Sequence, residues 1–256
     1  MMNGPNLADH PPIQLIVLDI DGVLTHGEAR PLDLELLGLL AAMNRRARND
    51  PVHPAVTLCS GRPAPYVEVF LQAIDGHLPA VYENGAGLYQ PVGYQFTPHP
   101  DLRFISDGFQ AVQERLQVGL VARGKADIQP GKLYSLSLFA REPVTTPQLR
   151  ELAAAALGSL VDSVDLVYST SCLNVLPRGI DKGKGVEYLA QTIGLPAESM
   201  LGVGDSDVDL PLLARVGTSA APANANSAVR QLVDYLSLHS DGDGVRDILQ
   251  HFGLLP

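Results

Sequence analysis

The stretch "LIVLDIDGVLT", Leu15 to Thr25, decides the fold. Leu15, Ile16, Val17 and Leu18 run together with no polar lead-in, and Asp19 and Asp21 follow one residue apart. A short run that is apolar at every position predicts a parallel strand covered on both faces. Two acids at the tip of such a strand need a partner, because charges are rarely left unpaired near a core. Gly22 stands where the chain must turn sharply.

Working outward, the same grammar repeats. A helical period with a basic last turn fills "LDLELLGLLAAMNRRARND". "PAVTLCSGRP" reads as a second strand ending in Ser60 and Gly61, "PYVEVFLQAID" as a helix, and "LPAVYENG" as a third short strand. From Gly87 the pattern changes. "GLYQPVGYQF" reads as a hairpin, "DLRFISDGFQAVQERLQ" as a helix and "KLYSLSLFA" as a partly exposed strand. "TPQLRELAAAALGSL" predicts a helix capped by Thr146 with Pro147 at the first helical position, and "VDLVYS" and "CLNVLP" are two further strands. At Gly179 the first pattern returns. "KGKGVEYLAQTIG" is a helix, "SMLGVGDS" a strand with acids at its end, and helix and strand alternate to the C-terminus. The expected fold is α/β: a doubly wound parallel sheet formed by 1–86 and 179–256, with an α+β domain inserted over 87–178. Residues 1–12 read as a loose lead-in.

The composition narrows the function. Hydrophobic residues make up 46% and charged residues 18%, so a sizeable core is expected. A net charge of −10 argues against broad nucleic-acid or anionic-membrane binding, which needs basic surface. Cys59 and Cys172 stand far apart, outside any metal-type spacing, and read as free thiols of a reducing compartment. The first residues show no basic segment followed by an apolar one, and the longest apolar run, Leu36 to Met43, is far too short to span a membrane. A cytoplasmic protein is expected.

In an open parallel sheet, ligands bind beyond the carboxyl ends of the strands. There the pattern gathers Asp19 and Asp21, then Ser60, then Asp205 with Asp207 and Asp209, while Lys182 opens the helix after the insert. Packed carboxylates repel one another, and a hard divalent cation such as Mg²⁺ resolves the conflict. A lysine in that company calls for an anion, and the Ser60 hydroxyl with the Gly61 N–H can donate to one. Together these groups suit phosphoryl transfer. A calcium loop of the EF-hand type fails, because the twelfth position is Val216 counted from Asp205 and Arg30 counted from Asp19, where a Glu is required. His26, His53, His77, His99 and His251 show no metal spacing.

With these residues assembled, the chain resembles the haloacid dehalogenase superfamily of phosphatases, in the branch with a type 2B cap. "LDIDGVLT", "TLCSGRP", the Lys of "IDKGKG" and "GVGDSDVDLPLL" match its four motifs in order, separated by 39, 122 and 23 residues from Asp21 to Ser60 to Lys182 to Asp205. "YENGAG" resembles the segment that leads into the cap. The resemblance implies a Rossmann-like core, Mg²⁺, and hydrolysis of a small phosphorylated metabolite through an aspartyl phosphate. The substrate would be a sugar phosphate or a phospho-acid such as phosphoglycolate. It implies Asp19 as nucleophile and metal ligand, and Asp21 as general acid/base with its carbonyl on the metal. Ser60, Gly61 and Lys182 would hold the phosphoryl group, Asp205 would bind the metal, and Asp209 would support it. Where the family often has Asn, this chain has Val208. Arg62, Asn84, Ser171, Asn174 and Arg141 are candidates for substrate contact. A phosphomutase shares such a core. A phospho-accepting receiver domain clusters similar residues but lacks room for the insert, and a glycosyltransferase using DxD explains neither Lys182 nor the second acidic cluster.

Overall fold

The structure, a computed structural model, describes residues 12–255 except 28, 105 and 170; up to residue 11 the expected lead-in lies outside the described residues. Along the chain run β1 (Leu15–Leu18), α1 (Leu34–Asn49), β2 (Ala55–Leu58), α2 (Ala64–Ala73), β3 (Ala80–Tyr82), β4 (Gly87–Gln90) and β5 (Gln95–Pro98). Next come α3 (Ser106–Leu116), β6 (Ala126–Ile128), β7 (Leu136–Ala140), α4 (Thr146–Leu157), β8 (Val164–Tyr168) and β9 (Leu173–Pro177). The chain closes with α5 (Lys182–Ile193), β10 (Met200–Val203), α6 (Leu210–Leu213), β11 (Thr218–Ala221), α7 (Ser227–Leu232), β12 (Tyr235–Leu236) and α8 (Asp241–His251).

β1 sits inside a five-stranded parallel sheet of order β12-β11-β10-β1-β2. Its four residues are fully buried. Ile16 and Leu18 join one hydrophobic cluster while Leu15 and Val17 join another. Successive side chains of a strand point to opposite faces, so a strand covered on both sides must be apolar at every position. That accounts for the unbroken run before Asp19. Local chemistry fixes the flanking helices. The Asp33 carboxylate caps α1 by accepting from the Leu36 N–H at 2.9 Å, and Asp181 caps α5 by accepting from the Lys184 N–H at 2.8 Å. Gly194 ends α5 in the left-handed conformation.

Two smaller antiparallel sheets complete the molecule. The hairpin expected at Gly87 forms, but β3 adds to it as a three-stranded sheet of order β3-β4-β5. β3, read from sequence within the alternating pattern, meets β2 through a single parallel bridge, Cys59 to Val81. It is only three residues long, and the chain turns away at Glu83 and Asn84, both with positive φ. Leu88 and Tyr89 of β4 bury their side chains among residues of the main sheet. The second small sheet has order β6-β7-β9-β8. With α3 and α4 it surrounds a hydrophobic cluster whose buried members all fall between Phe109 and Val175.

Three local readings need correction. α4 is capped by Thr145, not Thr146: a capping box pairs the Thr145 and Gln148 side chains with each other's backbone. The segment "SAVRQLVDYLS" divides into α7 and the edge strand β12, because the chain extends at Val233. β6 carried no clear alternation and was not anticipated.

Candidate active site

The carboxyl ends of β1, β2 and β10 meet at one edge, which opens onto a cavity of about 430 Å³. Asp19 follows β1 directly, and its N–H donates to the Val203 carbonyl at 3.0 Å, which ties the strand tip to β10. Ile20 turns inward and is fully buried, so Asp19 and Asp21 both face the cavity. The chain then folds back, with the Ile20 carbonyl accepting from the Leu24 and Thr25 N–H groups at 2.8 and 3.0 Å. Gly22 adopts φ +78°, and a Cβ there would strike the Asp205 carboxylate. Only glycine lets the first loop and the β10 loop approach this closely.

Lys182 is the centre of the site's electrostatics. Its side chain is 1% exposed, and its ammonium lies 2.8 Å from Asp19 Oδ1 and 2.5 Å from Asp209 Oδ1. Burial alone depresses an ammonium pKa, but Asp19 and Asp209 hold this one above its ordinary range. Burial pushes Asp19 up to about 7, Lys182 opposes the shift, and the Asp209 and Asp21 carboxylates reinforce it. Asp209 is fully engaged. Its Oδ2 accepts from the Asp205 N–H at 3.1 Å, the Ser206 N–H at 3.0 Å and the Ser206 hydroxyl at 3.1 Å, while its Oδ1 takes Lys182. Asp209 thus organises the β10 loop and lies behind the cavity wall.

Asp19, Asp205 and Asp209 each present a carboxylate oxygen within 4.8 Å of the others, and all three are buried. This hard, oxygen-only donor set fits Mg²⁺, which prefers carboxylate, carbonyl and water ligands. The carboxylate repulsion that adds to the burial shift of Asp19 is what a divalent cation would relieve.

Asp21 has a different partner. Arg62, from the loop after β2, grips it as a fork, with Nε to Oδ2 and Nη2 to Oδ1 both at 2.6 Å. The guanidinium also lies over the Tyr66 ring, 4.7 Å from its centroid. Ser60 is buried behind this loop, where its hydroxyl accepts from the Arg62 N–H at 3.2 Å. Gly61 lines the cavity, and a Cβ there would come within 2.9 Å of Asn84 Oδ1.

The four-stranded sheet supplies the opposite wall. Asn174 of β9, Ser137 and Phe139 of β7, Ser171, Cys172 and Lys132 all line the same cavity. The Ser137 hydroxyl donates to Asn174 Oδ1 at 2.8 Å, and Asn84 Nδ2 approaches the same oxygen at 3.5 Å. The structure therefore brings Asp19, Asp21, Gly61, Arg62, Asn84, Ser171, Asn174, Lys182 and Asp205 to one cavity, with Ser60 and Asp209 in the layer behind. Arg141 is elsewhere, in an exposed pair with Asp127.

Comparison with known proteins places this arrangement in a family. A haloacid dehalogenase-like hydrolase model matches residues 128–249. A curated phosphoglycolate phosphatase of Thermoplasma volcanium is 36% identical over 257 residues, covering 95% of this chain and 100% of the relative. The chain belongs to the haloacid dehalogenase-like hydrolases. Another relative of this hydrolase, the phosphoglycolate phosphatase of Methanopyrus kandleri, is 26% identical across 92% of this chain and 95% of its own. Among solved structures, Thermoplasma acidophilum 0175 superposes with a TM-score of 0.69 at 20% identity, covering 96% of this chain and 100% of its own. A Synechocystis sucrose-phosphatase solved with sucrose and phosphate gives 0.67 at 18% identity, covering 94% and 98%. These two show the fold.

The hydrolase holds functional candidates that sequence reasoning did not single out. Lys132 follows an ordinary Pro-Gly turn and carries no local pattern. Glu83 is 1% exposed and spends both oxygens on the loop after Lys132; the acid in "YENG", directly after a strand, was the signal for it. His26 lies at the cavity rim with Nδ1 2.7 Å from Asp241 Oδ2, although it has no metal spacing.

Proposed function

We propose that this hydrolase is a Mg²⁺-dependent phosphatase that transfers the phosphoryl group of a small phosphomonoester to Asp19 and then to water. The single observation that carries the reading is the buried Asp19–Lys182–Asp209 array beside Asp205 at the edge of the parallel sheet. A carboxylate this close to a permanently charged ammonium, facing a cavity, is poised as a nucleophile toward an anionic phosphorus centre. Lys182 keeps Asp19 oriented and offsets charge on the transferring oxygens. Gly61 lines the same side of the cavity, where its N–H would serve as a further donor. Asp19 and Asp205, with the Asp21 carbonyl, would hold Mg²⁺, and Asp209 would fix the loop that carries Asp205. When bound, the cation supplies charge neutralisation and orientation of the phosphoryl group.

Asp21, after one oxygen leaves Arg62 and takes up a proton, would give that proton to the leaving alkoxide and then take one from the attacking water. One carboxyl can serve both steps, since losing the proton in the first prepares it for the second. Both Asp21 oxygens are occupied by Arg62, so one must be released when substrate enters. We propose further that residues 87–178 act as the cap, with the four-stranded sheet as the part that covers the substrate and excludes water. The names of the curated relatives favour a phospho-acid, and that of the sucrose-phosphatase neighbour a sugar phosphate. The test is Mg²⁺-dependent phosphate release from an aryl phosphate by wild type, Asp19→Asn and Asp21→Asn. An Asp19→Asn protein that keeps most of the activity removes the nucleophile assignment. Conversion of a sugar phosphate to its isomer without phosphate release would make the protein a phosphomutase.

A further inference from the structure

Lys132 is the cavity's one charged group contributed by the four-stranded half among its lining residues. It sits just before β7, with its side chain directed into the space that Asp21 and Arg62 also face. Its ammonium has one hydrogen-bond partner, the neutral Ser137 hydroxyl, and among the described residues no carboxylate lies within 4.0 Å of it. Every other cation of the site is paired: Lys182 with Asp19 and Asp209, and Arg62 with Asp21. Burial presses the Lys132 ammonium down to about 8; Cys172, Glu83 and, more weakly, Asp21 oppose the shift, and the nearby Arg62 charge adds to it. A partly buried cation without a paired carboxylate is stabilised when an anion enters.

The position of Lys132 is built rather than incidental. Glu83, buried at the end of β3, reaches across to the loop between Lys132 and β7. Its Oε1 accepts from the Leu133 N–H at 2.9 Å; its Oε2 accepts from the Tyr134 and Ser135 N–H groups at 2.8 and 2.9 Å and from the Ser135 hydroxyl at 3.1 Å. Four donors on one carboxylate fix that loop to the segment carrying Asn84. On its other side Lys132 is held by Ser137, whose hydroxyl is itself held by Asn174. The ammonium therefore stands at a set place across the cavity from Asp19.

We propose that Lys132 binds a second anionic group, a carboxylate on the leaving-group side of the substrate, and so selects phospho-acids over neutral phosphomonoesters. The assignment rests on the phosphatase reading above. A cavity of about 430 Å³ suits a substrate of a few carbons. A sugar would call on neutral donors and acceptors and would leave the Lys132 charge uncompensated.

The experiment compares two esters of equal length: phosphoglycolate, which carries the carboxylate, and 2-hydroxyethyl phosphate, which does not. The readout is the ratio of their kcat/KM values with Mg²⁺ present. Wild type is expected to favour phosphoglycolate by roughly tenfold to a hundredfold, the range of one charged hydrogen bond. In Lys132→Met that ratio is expected to fall toward one, mainly through KM for phosphoglycolate; Lys132→Arg keeps the charge and is expected to retain part of the preference. Circular dichroism and thermal melting of both variants check that each is folded, and a Lys132→Met protein that does not fold leaves the wild-type and Lys132→Arg ratios as the deciding pair. Equal rates on both esters in wild type, or a preference that survives in Lys132→Met, would overturn the Lys132 assignment alone. No phosphate release from either ester would overturn the phosphatase reading and this assignment with it.

Discussion

The two walls of the cavity are built on opposite principles. On the parallel-sheet edge the charges are satisfied by one another: buried Lys182 against Asp19 and Asp209, Asp209 against the β10 loop, and half-buried Asp21 against Arg62. On the antiparallel wall a single cation, Lys132, lines the cavity with a neutral hydroxyl as its hydrogen-bond partner and, among the described residues, no carboxylate in an ion pair with it. A preorganised wall can stabilise charge as it moves during a reaction, because its dipoles need not reorganise. A wall with one uncompensated charge can only discriminate between ligands. The contrast assigns chemistry to the first wall and selection to the second.

The contrast can be broken by substitutions on each side. The largest effect is expected at Lys182. Lys182→Met leaves Asp19 and Asp209 buried without their cation; removing one partner of a buried pair costs about 3–5 kcal/mol. Both the thermal midpoint and phosphate release should fall severely. A Lys182→Met protein as stable and active as wild type would mean that the array is not the organising feature of the edge. Next comes Asp209→Asn, which weakens the hold on Asp205 and Ser206; a loss of about 1–3 kcal/mol in urea unfolding is expected.

Glu83→Gln tests the other wall. An amide cannot accept from every donor that Glu83 now satisfies, so about 1–2 kcal/mol is expected to be lost locally. Hydrogen exchange should speed at Leu133, Tyr134 and Ser135 while the β1 amides stay protected; equal speeding in both places would show that the walls are not separately organised. The smallest effect is expected at Asp33, which joins the start of α1 to Arg246 of α8 near solvent. Hydrogen bonding from Arg246 holds the Asp33 carboxyl below its ordinary 3.8. Because the folded value is the lower one, its stabilisation is present above the ordinary value and disappears as pH falls through the folded value. The melting difference between wild type and Asp33→Asn should thus be under about 1 kcal/mol at pH 7 and should vanish in strong acid. A gap that widens in acid would reverse the sign of that account.

The same contrast separates what could be read in the sequence from what could not. The parallel edge was legible because its signals are local: an apolar run ending in acids at Asp19, a Ser-Gly turn at Ser60, a capped helix beginning at Lys182, a second acidic tip at Asp205. Each motif is anchored by its own strand or helix, so finding the element also places the residue. The antiparallel wall was mostly illegible. Asn174 and Ser171 were named as candidates, but Lys132 is a single lysine after a turn, and its position comes from the Glu83 clamp, 50 residues away in sequence, and from Ser137. The Arg62 fork on Asp21 was likewise invisible, because it depends on how two loops pack rather than on either loop's pattern. Arg141 was named on residue type alone and faces Asp127. β3 was legible as a strand but not in its pairing, since three residues do not specify a partner.

The central claim is that Asp19 takes the phosphoryl group. Enzyme in excess over phosphoglycolate can be quenched in acid within one turnover and its peptides weighed. The account predicts one added phosphoryl group on the peptide containing Asp19, more of it in Asp21→Asn, where its hydrolysis is slowed, and none in Asp19→Asn. Phosphate release with no phosphorylated peptide in either wild type or Asp21→Asn, or a phosphorylated peptide that persists in Asp19→Asn, would contradict it.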